Sequence, residues 1–301
     1  MNFLNKLIAA VLPAVPKSIV RKVSARYIAG PFLNDAVRVV RQLNSEGAMA
    51  TVDVLGEYIK SMDEAEENTK YSIEVLDGID QEQVNSNLSI KLTSLGLGLD
   101  NAACERNVRR ILDTARSHNN FVRFDMEDSH YTTQTIDLYT KLRKEYDNVG
   151  VVLQAYLRRT EADIKDLLEG GKTNIRLCKG IYIEPEEIAF KDRAEVQDHF
   201  LRSLEVAFTG GAYVGIATHD DVLINGARSL IGQCGLQREQ YEFQMLLGVR
   251  DQKRRELLHE GHRLRVYVPF GADWYGYSVR RLKENPAIAG HILKAFFSRG
   301  K

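Results

Sequence analysis

Residues 150–180 read GVVLQAYLRRTEADIKDLLEGGKTNIRLCKG. The stretch opens on an apolar run, Gly150–Leu157, and closes on another, Asn174–Gly180. Between them Glu161–Leu168 has helical spacing and stops at Gly170-Gly171, where a helix end favours the left-handed φ that glycine adopts without strain. Runs that are apolar along their length suit strands buried on both faces, as in a parallel sheet covered by helices. A strand–helix–strand unit is predicted here.

The same alternation extends in both directions. Upstream runs are ATVDVLG from Ala50, LSIKLTSLG from Leu88 and FVRFDME from Phe121; downstream runs are YVGIATHD from Tyr213, YEFQMLLG from Tyr241 and LRVYVPFG from Leu264. Amphipathic segments separate them, among them Cys104–Ser117, with Val108, Ile111, Leu112 and Ala115 on one face, and Thr135–Tyr146. Eight such units over roughly 250 residues match a (β/α)8 TIM-type barrel of the α/β class. The barrel is predicted over residues 49–301. Residues 1–48, with Leu33, Val37, Val40 and Leu43 in helical spacing, are predicted to add N-terminal helices. The competing fold is a doubly wound dinucleotide-binding sheet. Its nearest glycine loop, GLGLD at Gly96–Asp100, places Asn101 where the third glycine of GxGxxG belongs, and so fails the pattern.

The 301 residues carry 41 basic and 41 acidic side chains, a balance that argues against nucleic acid as a partner. Cys104, Cys178 and Cys234 are odd in number and form no CxxC, which points away from disulfides and zinc and toward a reducing, cytoplasmic compartment. No apolar run reaches the roughly 18 residues of a membrane span. Near the N-terminus, Phe3, Leu4, Leu7, Ile8, Val11, Leu12 and Val15 keep helical spacing among Lys6, Lys17, Arg21 and Lys22. That is an amphipathic helix, either packed on the domain or lying peripherally on a membrane surface. Lys6, Pro13, Pro16 and the lack of an A-x-A site disfavour a secretory signal. The acidic run Asp63–Glu67 reads as a solvated helix start.

In a barrel of this type, function sits at the C-terminal strand ends. Here those ends are polar: Lys91 on the second strand, Asp125 on the third, Gln154 on the fourth, and Arg176 and Lys179 on the fifth, followed by Gly180 and Tyr182. The sixth ends in Thr218-His219-Asp220, the seventh carries Gln244 and Leu246, and the eighth carries Tyr267. Beyond it, Tyr277, Arg281 and Glu284 fall on one helical face, with Arg280 able to pair with Glu284. Adjacent arginines on a half-buried helix are costly without an anion, and the guanidinium fork matches a carboxylate or phosphate. Each unpaired ion inside the barrel would cost several kcal/mol, so these groups need partners. Taken together, the cations Lys91, Arg176, Lys179, Arg280 and Arg281 exceed the acids Asp125 and Glu284. The set reads as a pocket for a small anionic molecule beside a larger polar cofactor. No metal centre is predicted, because His259 and His262 lack zinc-ligand spacing. Cys178 reads as packing, and His219 as either a core histidine or a ligand contact.

The motifs SIKLTSLG, FDMED, LQAYLRR, RLCKGIY, ATHD, FQMLLG, RVYVPFG and YSVRRLKEN, in this order from about Ala50 to Pro286, resemble the proline dehydrogenase family of FAD-dependent barrels. Length and the RLCKGIYIEP motif are most similar to the short monofunctional bacterial type. The resemblance implies that Arg280, Arg281 and Lys91 clamp the carboxylate of L-proline, with Glu284 and Asp125 orienting those cations. It implies that Tyr277, Tyr267, Tyr182 and Leu246 wall the ring. Arg176 would lie beside the flavin N5, Gln154 at the flavin ring edge, and Thr218 and His219 along the rest of FAD, with Lys179, Gly180 and Asp220 nearby. Lys191 or Arg193 would meet the ribose or pyrophosphate. Asp220 stands where bifunctional relatives carry asparagine, and Ile181 replaces a smaller residue. The last helix would lie over the barrel mouth. The implied reaction takes L-proline to Δ1-pyrroline-5-carboxylate, with electrons passing to a quinone or membrane electron-transport chain. Rival readings are a 4-hydroxyproline dehydrogenase, a Schiff-base lyase using Lys91 or Lys179, and a non-catalytic membrane-surface protein.

Overall fold

The computed structural model describes residues 25–56, 59–275, 277 and 278. Its centre is a closed barrel of eight parallel strands in sequence order: β1 (Met49–Val54), β2 (Ser86–Ile90), β3 (Val122–Phe124), β4 (Val149–Gln154), β5 (Asn174–Cys178), β6 (Tyr213–Ala217), β7 (Tyr241–Leu246) and β8 (Leu264–Phe270). The seam closes by pairing Met49 with Arg265 through to Val54 with Phe270. Helix α1 (Leu33–Ser45) precedes β1 and packs against β8 and β1, burying Ala36, Val37, Val40 and Leu43. The connecting helices are α2 (Met62–Gln81), α3 (Asn101–Ser117), α4 (Ser129–Leu142), α5 (Thr160–Glu169), α6 (Arg193–Thr209), α7 (Asp221–Gln233) and α8 (Asp251–His259). The TIM-type barrel expected from the sequence is the fold observed. The helix expected over the mouth lies outside the described residues beyond Ser278, as does the amphipathic segment at residues 1–22.

Helix starts follow capping groups that apolar spacing alone does not reveal. The segment expected from Cys104 begins at Asn101, because the Asp100 side chain accepts from the Ala103 N–H. The segment expected over Thr135–Tyr146 runs Ser129–Leu142, because Asp128 caps it and accepts from the His130 N–H. Asp63 and Glu64 occupy the first turn of α2, where the helix dipole favours acids.

The strands differ from expectation in one consequential respect: they alternate. Phe243 and Met245, Ile175 and Leu177, and Val266 and Val268 belong to the hydrophobic core. The positions between them meet across the barrel interior. Thr51 donates to Asn87, Ser89 to Asp125, Arg176 to Gln244 and Arg265 to Glu242. The inside of the barrel is therefore a polar column and the apolar core is the shell around it. Two glycines make room for it. A methyl group at Gly150 would sit 2.3 Å from Arg123 Nη1, and one at Gly215 2.3 Å from Gln244 Nε2.

Candidate active site

A cavity of about 510 Å³ opens at the C-terminal ends of the strands. Among the residues singled out from sequence, Lys91, Asp125, Gln154, Arg176, Tyr182, His219, Leu246, Tyr267 and Tyr277 line it. The wall also includes Asp53, Met126, Val152, Cys178, Ile181, Ala217, Gln244 and Met245. Most of this second group is apolar, so the charged groups face one another in a poorly solvated space where electrostatic interactions are strong.

Two cation–carboxylate pairs stand in the wall. Lys91 Nζ donates to Asp53 Oδ1 at 2.5 Å. Arg176 Nη1 donates to Asp125 Oδ1 at 2.8 Å, and the same oxygen accepts from Ser89 Oγ at 2.5 Å. The other Asp125 oxygen accepts from the Tyr267 hydroxyl at 2.6 Å. Arg176 also lies 5.3 Å from the centre of the Tyr267 ring, near enough for cation–π attraction.

Among the described residues Asp125 holds Arg176 and Tyr267; Arg280 and Arg281, two of the cations it was expected to orient, lie outside them. The acid on Lys91 is Asp53, which strand-end reasoning missed because it lies within β1; the alternation in Val52-Asp53-Val54 is the signal that could have revealed it. Burial pushes the Asp53 carboxyl up to about 6, with the Lys91 charge opposing the rise and the Asp125 charge adding to it. Burial, then Asp125 and Asp53, hold the Tyr267 phenol well above its ordinary value, so it remains a donor. Burial raises the Cys178 thiol to about 11, in keeping with inert packing.

His219 serves the fold and the cavity together. Its Nε2 accepts from the Leu246 N–H at 2.9 Å, which places the neutral ring's proton on Nδ1. Gln154 donates to the Met126 carbonyl at 3.5 Å, while its buried Oε1 lacks a partner among the described residues.

The remaining candidates sit beside the cavity, outside its lining. Asp220 caps α7 by accepting from the Val222 N–H, and its Oδ2 accepts from Gln197 at 2.9 Å, Arg193 at 3.1 Å and Lys179 at 3.4 Å. Burial works against the Asp220 charge, yet these donors outweigh it and hold the carboxyl below its ordinary value. Thr218 Oγ1 accepts from the Asp220 N–H, and Lys191 donates to the Glu184 carbonyl. Gly180 has φ +105°, and a methyl group there would lie 2.1 Å from the Tyr156 ring, so both backbone and space require glycine. Arg280, Arg281 and Glu284 lie outside the described residues. Among the described residues, no cluster of His, Cys, Asp and Glu is arranged to hold a metal ion.

Comparison with known proteins places this geometry. The family model described as proline dehydrogenase matches residues 36–293. The chain belongs to the proline dehydrogenase family. Proline dehydrogenase 2 of Bacillus subtilis strain 168 is 41% identical over 274 residues, covering 91% of this chain and 90% of that protein. Proline dehydrogenase of Deinococcus radiodurans is 34% identical over 274 residues, covering 89% of this chain and 88% of that one. Among solved structures, proline utilization A from Bdellovibrio bacteriovorus, inactivated by N-propargylglycine, superposes with a TM-score of 0.82 at 24% identity. That match covers 88% of this chain and 33% of the larger protein, and it establishes the shared barrel. As a member of this family the chain is an oxidoreductase that oxidises proline.

Proposed function

We propose that the mouth cavity binds L-proline against FAD and yields Δ1-pyrroline-5-carboxylate. The observation that carries this reading is the pair of braced cations, Lys91 on Asp53 and Arg176 on Asp125, facing a largely apolar cavity of about 510 Å³. The lining suits a flavin: Gln154 Oε1, which lacks a partner among the described residues, can accept from an N–H donor, and Arg176 offers positive charge nearby. Gln154, Arg176 and His219 would hold the ring system. Thr218, Lys179, Gly180, Asp220 and Lys191 or Arg193 would serve the outer part of FAD. Bound there, FAD supplies a hydride acceptor for the δ-carbon of proline as the amine loses its proton.

The protein's part is orientation and charge. Lys91, with Arg280 and Arg281, takes the proline carboxylate, and Glu284 steadies the arginines. Tyr182, Tyr267, Tyr277 and Leu246 wall the ring. Asp125 fixes the Tyr267 hydroxyl at 2.6 Å, so that oxygen occupies a set place in the wall where a ring hydroxyl would be crowded. This favours proline over 4-hydroxyproline. Asp125 also steadies Arg176 beside developing negative charge. Lys91 is paired with Asp53 and Lys179 with Asp220, so neither amine stands free to attack a carbonyl, which disfavours a Schiff-base lyase.

The same reading divides the chain into an N-terminal helical segment, residues 1–48, and a catalytic barrel, residues 49–301, in agreement with α1 packing on the β8–β1 seam. Electrons would pass to a quinone. Among the described residues no helix is long and apolar enough to cross a membrane; the amphipathic spacing of residues 1–22 supports peripheral contact with a bilayer through that segment. The test is an absorption spectrum of the purified or FAD-reconstituted protein, followed by anaerobic L-proline. A flavin spectrum that L-proline bleaches, and 4-hydroxyproline bleaches poorly, supports the reading. A protein that takes up no flavin overturns it.

A further inference from the structure

We propose that Gln244 is a positioning residue for Arg176, fixing the guanidinium in the cavity wall through an amide whose direction is set by Glu242 and Arg265 deeper in the barrel. The inference rests on the reading of Arg176 as a flavin contact and goes beyond it.

Hydrogen-bond direction fixes the Gln244 amide. Arg176 Nε donates to Gln244 Oε1, and Gln244 Nε2 donates to Glu242 Oε1 at 2.6 Å. A guanidinium only donates and an ionised carboxylate only accepts, so one orientation of the amide satisfies both neighbours. Glu242 is itself fixed. It accepts from Arg265 Nε at 2.7 Å and Nη2 at 3.1 Å, and from the Tyr213 hydroxyl at 2.8 Å. Arg265 is anchored in turn on the Ala50 carbonyl at 2.7 Å. Although burial opposes it, the Arg265 charge keeps the Glu242 carboxyl at about 2, so the acceptor stays ionised.

The second, independent observation is spatial. The Gln244 side chain reaches Arg176 over Gly215 of β6, which pairs with Arg176 on one side and Glu242 on the other and where a methyl group would come within 2.3 Å of Nε2 and 2.8 Å of Cδ. Arg176 is consequently held at two points, Nε by Gln244 and Nη1 by Asp125 at 2.8 Å. With one point released, the guanidinium can rotate about the other, and its charge no longer occupies a fixed place in the wall.

The test uses full-length protein and two variants that break the same link from neighbouring strands, Gln244→Met and Gly215→Ala. Each is made alone and in an Arg176→Met background, with thermal melts to establish folding. The readouts are apoprotein affinity for FAD, the bound flavin's midpoint potential, and the separate kcat and KM for L-proline. Each single variant is expected to weaken FAD binding about tenfold, the scale of a lost hydrogen bond to a charged group, to lower the potential, and to leave KM within about twofold. In the Arg176→Met background neither is expected to change anything further, because coupled residues are non-additive. Unchanged affinity and potential in whichever variant folds, or effects that persist without Arg176, would overturn the inference while leaving the flavin reading intact. An Arg176→Met variant with unaltered affinity and potential removes the flavin contact and this inference with it.

Discussion

Lys91 and Asp53 form an ion pair of 2.5 Å in the wall of the mouth cavity, with side chains only 10% and 2% exposed. Two buried charges this close gain attraction but lose hydration, and breaking such a pair is more costly than lacking it altogether. A carboxylate ligand arriving at Lys91 meets an ammonium already oriented by Asp53, so little side-chain freedom remains to be lost on binding.

Replacing Lys91 by Met removes that oriented cation. KM for L-proline is expected to rise at least thirtyfold, in line with the roughly 2–5 kcal/mol measured when one partner of a desolvated charge pair is lost. Steady-state kinetics measure this directly, and an unchanged KM would exclude Lys91 from carboxylate binding.

Asp53 gives a stability signature with a definite sign. Its folded carboxyl is raised to about 6 from an ordinary 3.8, so the folded state holds this proton more tightly than the unfolded chain. The resulting stabilisation is complete below about pH 4 and is lost as pH rises through about 6, amounting to ~3 kcal/mol. The stability of wild type relative to Asp53→Asn should therefore fall between pH 4 and 7 in urea titrations. A difference that stays flat or grows across that range would show that Asp53 is not raised.

Tyr267 donates to Asp125 and forms part of the ring-binding wall. Substituting phenylalanine removes the hydroxyl while keeping the ring under Arg176. The ratio of kcat/KM for L-proline over 4-hydroxyproline should fall several-fold, with the protein still folded. An unaltered ratio would place the source of selectivity elsewhere in the wall.

Gly150 tests the polar column itself. A methyl group there would meet Arg123 Nη1 at 2.3 Å and the Asn174 carbonyl at 2.8 Å, and Arg123 Nη1 itself donates to that carbonyl at 3.0 Å. Gly150→Ala should destabilise the barrel by ~1–3 kcal/mol, the usual cost of overpacking a filled interior. Chemical denaturation measures it; wild-type stability would mean that the floor accommodates the extra volume.

The barrel was legible because its repeat is carried by apolar residues on the outer strand faces, such as Phe243 and Val266, and those dominate any reading of hydrophobicity. The polar column was not legible as such. Thr51, Asp53 and Glu242 each lie between apolar neighbours, and runs read as continuous concealed the period of two that turns them inward. Strand ends such as Lys91, Asp125 and Tyr267 were found because polar groups there stand at the margin of the runs. Their partners were not, because pairing across a barrel depends on strand register, which a sequence does not display residue by residue. Thr218 and Asp220 flank His219 in sequence, yet only His219 lines the cavity, because Asp220 is occupied in capping α7.

The most direct test of the central claim is a crystal structure of the FAD-loaded enzyme with a cyclic carboxylate that resembles L-proline but lacks the amine, and so resists oxidation. The account predicts its carboxylate on Lys91, its ring against Tyr267 and Leu246, and the flavin ring system against Gln154 and Arg176. A flavin or ligand bound away from the Lys91–Asp53 and Arg176–Asp125 pairs would contradict it.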